Sequence, residues 1–225
     1  MSTLSTVLCT AGLAAEAKIA RAAGFPVIVG GGDPYRTVSL VDTAAAHANC
    51  LISFGIAGAL APGLRPGDVI LSGEVIADDE HLQVDAEFQR RIGTVARRIR
   101  AFEGPVLGGT QILANEDDKA RAWRSTGALA VDMESAAVAR AAIAAGIPFL
   151  VLRAIADTAN QALPPAALIP LSEAGTPVIT SVLFEILRRP RQIPALVDLA
   201  RVTRQALAAL AVPARALHGA LATAA

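Results

Sequence analysis

Two acidic side chains stand out in an otherwise apolar stretch near the middle of the chain. The segment "AVDMESAAVARAAIAAG", residues 130–146, places Asp132 and Glu134 among alanine, valine and isoleucine. Removing a carboxylate from water is costly unless a partner binds it. We therefore predict that this segment presents an acidic group to a ligand.

Two further acids follow short apolar runs that have the character of strands. Glu16 lies in "TAGLAAEAK", and Asp157 directly follows "FLVLRAIA". In α/β sheets, ligands bind at the carboxyl ends of strands, where loops and helix N-termini converge. Glu16, Glu134 and Asp157 are therefore expected to meet in one cleft, where carboxyl groups can accept or transfer protons.

The elements that must position these acids alternate along the chain. Short runs rich in β-formers alternate with alanine-rich helical stretches, a pattern typical of an α/β fold with a largely parallel sheet. Strands are predicted near 5–10, 26–30, 50–55, 68–73, 104–110, 128–131 and 148–155. Helices are predicted near 14–23, 34–48, 86–101, 116–124, 133–145, 171–187 and 194–210.

Composition narrows the classes of function. The 225 residues suit one sizeable domain. Lys plus Arg equal Asp plus Glu at 20 each, so the chain lacks the excess of positive charge that is typical of nucleic-acid-binding proteins. A small neutral substrate is favoured instead. Cys9 and Cys50 sit in apolar runs, which predicts a reducing compartment, no disulfide and no metal site. The N-terminal segment lacks a basic signal region, and no run is long enough to span a membrane, so the sequence predicts a cytoplasmic protein.

Three segments together resemble a known family. "GIAGALAPGLRPGDVIL", "AVDMESAAVA" and "FLVLRAIAD" occur in this order and resemble the diagnostic segments of the purine nucleoside phosphorylase and nucleosidase superfamily. The similarity covers about residues 5–187. It is strongest to the methylthioadenosine/S-adenosylhomocysteine nucleosidases and to a hopanoid-associated phosphorylase subgroup.

The resemblance implies an architecture and an assembly. It implies a three-layer α/β/α sandwich with a mixed central sheet, no cofactor, and a homo-oligomer with a dimer favoured over a hexamer. Residues 1–187 would form the nucleoside phosphorylase-like catalytic domain, and residues 188–225 a C-terminal helical extension.

The resemblance also assigns roles to individual residues. It implies that Glu134 binds the ribose hydroxyls of a nucleoside, with Met133 packed against the sugar. Asp157 would lie beside the purine and protonate or hydrogen-bond N7, which helps adenine to leave. An acid at this position favours a 6-amino base. Glu16 would act as general base for water.

The choice between water and phosphate as co-substrate is inferred from phosphorylase residues that this chain does not carry. Phosphorylases of the bacterial hexameric type carry an Arg where this chain has Glu16, a further Arg near Ser53, and a Ser in place of Ile56. A carboxylate repels phosphate, so hydrolysis is favoured over phosphorolysis. Two alternatives stay open: phosphorolysis through an unfamiliar anion site, for which Lys18, Arg21, Arg36 and Arg153 are candidates, and a silent nucleoside-binding protein.

The remaining predicted contacts are apolar. In "GGTQILANEDD", Ile112 stands where nucleosidases hold an aromatic residue, and the backbone of Leu113 would contact the edge of the base. Gly55, Ile56 and Arg153 complete the predicted substrate-binding set. Aliphatic packing at Ile112 and Ile56 favours an apolar 5′ substituent, which the resemblance to the hopanoid-associated subgroup also suggests.

The stretch from 187 to 219 forms a basic amphipathic pattern. Several arginines lie in this stretch. Between them, apolar residues recur at helical spacing: Leu196, Leu199, Val202, Ala206, Leu207 and Leu210. Such a helix can pack on the core or on a partner subunit, or it can lie on an anionic membrane surface. The sequence leaves peripheral contact with the inner membrane open.

Overall fold

The structure is a computed structural model that describes residues 6–31 and 33–222. The strands are β1 (Val7–Ala11), β2 (Val27–Val29), β3 (Cys50–Ala59), β4 (Val69–Ser72), β5 (Glu74–Ala77), β6 (Glu80–Gln83), β7 (Val106–Gly108), β8 (Ala130–Asp132) and β9 (Phe149–Asp157). The α-helices are α1 (Ala14–Ala22), α2 (Pro34–Ala45), α3 (Ala86–Ile99), α4 (Glu116–Thr126), α5 (Ser135–Ala145), α6 (Ile179–Arg188) and α7 (Ile193–Ala222).

All nine of these strands join one mixed sheet. Its main path runs β2-β1-β3-β8-β7-β5-β6, while β9 pairs with β3 and β4. The β3–β8, β4–β9 and β5–β6 pairs are antiparallel and the other pairs are parallel. The long strand β3 therefore organises the sheet, since it pairs with β1, β8 and β9.

Helices cover both faces of the sheet. Along β9, Leu150, Leu152 and Ala154 join a cluster with residues of α1, α3 and α7. Phe149, Val151 and Ile155 alternate with them and join a second cluster with residues of α2 and α5. Burial on both faces explains why β9 is apolar at most positions and does not alternate with exposed polar residues; its two charged members, Arg153 and Asp157, are also buried. The predicted three-layer α/β/α sandwich with a mixed sheet is confirmed.

The predicted elements differ from the structure at a few places. The run at 68–84 contains a β5–β6 hairpin whose turn residues, Asp78 and Asp79, both have positive φ. The helix predicted for 171–187 begins only at Ile179, since Gly175 and Pro177 lie in a turn closed by a Leu171–Pro177 bridge. The first predicted strand starts at residue 5, which lies outside the described residues.

The stretch predicted as an extension is part of the core. Helix α7 continues through Pro213, and Val202, Ala206, Leu210, Pro213, Ala214 and Leu217 are buried. Four of these, Ala206, Leu210, Ala214 and Leu217, belong to the same cluster as the sheet. Residues 223–225 lie outside the described residues. Of the apolar residues that the sequence offered to a membrane, Val202, Ala206 and Leu210 are thus buried in the protein, and Leu196, Leu199 and Leu207 are half-buried. None of the described helices has both the length and the apolarity to span a membrane.

Candidate active site

A cavity of about 410 Å³ opens where β1, β3, β8 and β9 end. This volume lies in the usual range for small-molecule sites. It is lined by Gly12, Leu13, Glu16, Ile56, Ala57, Gly58, Gln111, Ile112, Leu113, Val131, Asp132, Met133, Glu134, Ala156, Asp157, Leu163, Ala167, Leu168, Ile169, Pro170 and Leu171. The structure thus brings Glu16, Glu134 and Asp157 together, as the strand-end rule predicts.

Glu16 is held rigidly in the first turn of α1. Its Oε2 accepts from the backbone N–H of Leu13 at 2.8 Å, and its Oε1 accepts from the N–H of Ile56 at 2.8 Å. The side chain is 2% exposed. Burial raises the pKa of Glu16 to about 7, although the positive charge of Arg153 opposes this rise. Near neutral pH, Glu16 can therefore accept a proton from a bound molecule.

Arg153 is the centre of a buried ionic cluster beneath the cavity. Its Nε donates to Asp132 Oδ2 at 2.8 Å, and its Nη2 donates to Glu134 Oε2 at 3.0 Å and to Ser53 Oγ at 2.6 Å. Burial raises the pKa of Glu134, while the neighbouring Arg153 charge lowers it. The guanidinium thus fixes Glu134 at the cavity wall.

Asp132 serves as an anchor for the start of α5. Its Oδ1 accepts from the backbone N–H groups of Glu134 and Ser135 at 2.9 and 2.7 Å, and its Oδ2 accepts from the Ser135 hydroxyl. These contacts satisfy backbone donors that a helix N-terminus leaves unpaired. They also hold the Met133–Glu134 segment in place.

Asp157 is paired with a lysine that sequence reasoning missed. Lys119 of α4 donates from Nζ to Asp157 Oδ2 at 2.5 Å, and Lys119 has no exposed surface. Burial raises the pKa of Asp157, and the Lys119 charge opposes that rise. Lys119 lies in "NEDDKARAW", where a lysine among acids is typical of a solvated helix face, so no local signal marked it.

The other predicted contacts divide into two groups. Met133, Ile112, Leu113 and Ile56 line the cavity. Gly55 and Arg153 do not line it.

Gly55 instead makes room for the ionic groups. A Cβ on this residue would lie 2.5 Å from the Glu16 carboxyl carbon and 2.5 Å from Arg153 Nη1. Gly55 and Arg153 thus lie behind the cavity wall, and their direct contact with a substrate stays a prediction. Both residues support the acids that do line the cavity.

An apolar segment between β9 and α6 closes one side of the cavity and was not predicted as part of the site. We call residues 163–171 the apolar flap; its cavity-lining members are Leu163, Ala167, Leu168, Ile169, Pro170 and Leu171. The flap is anchored near the start of its 3-10 turn (Pro165–Leu168), where Leu163 N–H donates to Ala114 O at 2.8 Å and Ala166 N–H donates to Gln192 Oε1 at 3.0 Å. The cavity therefore has an acidic side and an apolar side.

The charged side chains among the described residues that line the cavity are all acidic. Four carboxylates line the cavity, those of Glu16, Asp132, Glu134 and Asp157, and no lysine, arginine or histidine of the described chain does. Within residues 6–31 and 33–222, no group of three or more His, Cys, Asp or Glu side chains is arranged to hold a metal ion. The site thus suits a neutral ligand with hydroxyl donors, or one that becomes positively charged.

Several curated proteins are similar in sequence to part of this chain. A 5′-methylthioadenosine/S-adenosylhomocysteine nucleosidase of Desulfotalea psychrophila is 27% identical over 132 residues, which cover 50% of this chain and 56% of that protein. A nucleosidase of the same name from Listeria monocytogenes is 32% identical over 136 residues, covering 49% and 58%. The chain thus spans little more than half the length of the curated relatives it matches.

Solved structures share the fold over nearly the whole chain. A 5′-methylthioadenosine/S-adenosylhomocysteine nucleosidase of Neisseria meningitidis, in complex with methylthio-immucillin-A, has a TM-score of 0.70 at 18% identity and covers 98% of this chain and 100% of that chain. Futalosine hydrolase of Helicobacter pylori has a TM-score of 0.63 at 17% identity and covers 81% and 98%. Residues 20–176, more than half of the sequence, match the family model described as the Phosphorylase superfamily. The chain therefore belongs to the phosphorylase superfamily.

Proposed function

We propose that this protein hydrolyses the N-glycosidic bond of an adenosine derivative and releases adenine. The observation that carries this proposal is the charge of the cavity: four carboxylates, and no cationic side chain among the described residues that line it. Curated relatives that match half of the chain are named as nucleosidases of 5′-methylthioadenosine and S-adenosylhomocysteine, which supports the same reaction.

The acidic lining favours water over phosphate as the attacking group. A phosphate anion needs cationic or backbone donors, whereas the backbone donors at the start of α5 already bond to Asp132. Of the four candidates for an anion site, Lys18, Arg21 and Arg36 do not line the cavity. Arg153 is paired with Asp132 and Glu134 and has no exposed surface. A carboxylate-lined wall also stabilises the positive charge that develops on the sugar as the glycosidic bond breaks.

Three acids divide the chemistry between them. Glu134 accepts hydrogen bonds from the ribose hydroxyls, and these charge-assisted bonds orient the sugar. Glu16, fixed by two backbone N–H groups, takes a proton from the attacking water. Asp157, as a neutral acid, gives a proton to N7 of the leaving adenine, and its buried position raises the pKa that this role requires.

The 5′ substituent is proposed to be apolar. The flap presents leucine, isoleucine, proline and alanine side chains to the cavity. Ile112 and Leu168 line the cavity and are 44% and 40% exposed, so apolar surface continues to its rim. We expect a short alkyl chain to lie within the cavity and a larger group of the hopanoid type to extend past this rim.

Adenine release in phosphate-free buffer tests the reaction. Prompt release by the purified protein supports hydrolysis. Release that begins only after phosphate is added, with a sugar 1-phosphate as product, would establish phosphorolysis instead. Tight binding of adenosine derivatives without turnover would identify a silent binding protein.

A series of 5′-alkylthioadenosines tests the apolar side of the cavity. Each buried methylene contributes about 0.8 kcal/mol, so kcat/KM is expected to rise roughly 4-fold per methylene until the chain reaches the rim. Adenosine itself is the control. Equal kcat/KM for adenosine and the longer thioethers would refute an apolar 5′ subsite.

A further inference from the structure

Lys119 is a buried cation whose position none of the proposed roles explains. It stands on α4, reaches across to the end of β9, and has no exposed surface. Its Nζ donates to Asp157 Oδ2 at 2.5 Å, to Thr158 O at 3.0 Å and to Gln161 O at 2.7 Å. An ammonium group has three N–H donors, and each has an acceptor here.

These three acceptors hold the Lys119 ammonium group next to Oδ2 of Asp157. Taking a lysine out of water is costly unless the ammonium is paired and fully hydrogen-bonded, and Lys119 meets both conditions. The same ammonium anchors the loop that leads from β9 to the apolar flap. Lys119 occupies Oδ2, so Oδ1 is the oxygen of Asp157 that is left for a ligand.

We propose that Lys119 is a positioning residue for bond cleavage: it holds Oδ2 of Asp157 so that Oδ1 faces the leaving base, and it stabilises the carboxylate that forms there. This inference rests on the proposed function. It adds a second group to the acid side of the site, one that acts only through Asp157.

The step balances as follows. The C1′–N9 bond breaks, and its electron pair passes into the purine ring. The proton on Asp157 Oδ1 moves to N7, which leaves Asp157 as a carboxylate beside the unchanged Lys119 ammonium. Water adds to C1′ and gives its proton to Glu16. The products are adenine and the free sugar, and solvent returns the proton from Glu16 to Asp157.

The test measures methylthioadenosine cleavage by Lys119→Met across a range of pH. Loss of a charge-assisted hydrogen bond to the leaving-group acid predicts a roughly 10- to 100-fold lower kcat. The fall of kcat at high pH, which reports loss of the Asp157 proton, is expected to move to higher pH, because the charge that favours the carboxylate is gone. Lys119→Arg, which keeps the charge, is expected to keep the fall near its wild-type pH.

Arg121→Met is the matched control, since Arg121 lies on the same helix, is exposed, and forms an ion pair with the half-exposed Asp118 and not with an acid of the site. It is expected to leave both kcat and the pH profile unchanged. A lower kcat in Lys119→Met with an unshifted profile would overturn the proposal and assign Lys119 to anchoring the loop alone.

A second comparison decides the matter if Lys119→Met does not fold. In Asp157→Asn the acid is already gone, so adding Lys119→Met is expected to change kcat less than about 2-fold, as for residues that act as one unit. A further 10-fold loss would overturn the proposal. If the wild type releases no adenine with or without phosphate, the proposed function fails; if only these Lys119 comparisons fail, the reaction stands and the role of Lys119 does not.

Discussion

Replacing Glu16 by glutamine is expected to change how the stability of the protein depends on pH. The pKa of Glu16 rises from 4.5 to about 7 in the folded protein, chiefly because burial disfavours its charge. The folded state therefore holds the proton more tightly than the unfolded chain. The stability that this proton contributes is complete below about pH 4.5 and is lost as the pH rises through about 7.

The magnitude follows from the shift. One pKa unit corresponds to about 1.4 kcal/mol, so moving from 4.5 to about 7 is worth about 3 kcal/mol. Between about pH 5 and about pH 8, the free energy of unfolding of the wild type should fall by about 2–3 kcal/mol relative to that of Glu16→Gln. The amide cannot accept hydrogen bonds from both Leu13 and Ile56, which adds an offset that does not depend on pH.

Urea unfolding at both pH values measures this difference, and the m-value shows whether the unfolding transition is comparable. Glu87→Gln is the control, since Glu87 also lies in the first turn of a helix but is exposed. The free energy of unfolding of Glu87→Gln should change with pH in the same way as that of the wild type. Parallel curves for the wild type and Glu16→Gln would refute the reasoning, because a carboxyl group that ionises normally on folding contributes no such difference.

Four further outcomes are expected. The kcat/KM of the wild type should fall below about pH 7 as Glu16 takes up a proton, and a profile flat to lower pH would exclude it as the base. Glu134→Gln should lower kcat/KM about 100-fold and discriminate less against a 2′-deoxy substrate in paired kinetic assays; unchanged discrimination would argue against the ribose contact. Asp157→Asn should lower kcat by about 100-fold or more with KM within a few-fold, and near-normal turnover would contradict its role as acid. Leu210→Ala should cost about 2–5 kcal/mol in chemical unfolding, and the half-buried Leu207 is the control that should cost less.

The sequence predicted the acids of the site because their positions follow from local patterns. Glu16, Glu134 and Asp157 each come just after a strand-like run, and the topology of α/β sheets brings strand ends together. The helix and strand assignments around them depend on periodicity over ten or so residues, which the chain displays clearly. Resemblance to a family then supplied the roles that the patterns alone do not give.

The partners of these acids could not be predicted in the same way. Lys119 and Asp157 are separated by 38 residues, and nothing near Lys119 distinguishes it from a solvated lysine. The apolar flap contains prolines and reads as a loop, and only tertiary packing turns it towards the cavity. The helix predicted near 194–210 extends to Ala222 in the structure and passes through Pro213, a residue that disfavours a helix interior; packing of Leu210, Ala214 and Leu217 against the sheet accompanies this extension.

The burial of α7 against the sheet affects how the nascent chain folds during synthesis. Strand β9 emerges from the ribosome before α7. Until α7 has been made, the face formed by Leu150, Leu152 and Ala154 lacks one of the three helices that cover it. Domains fold as units, and exposed apolar surface on an incomplete chain promotes aggregation. The nascent protein must therefore keep its central strands from associating until the last of the described helices has been made. A stop codon within this helix would yield a chain that carries every site acid but leaves that face of β9 without the cover of α7.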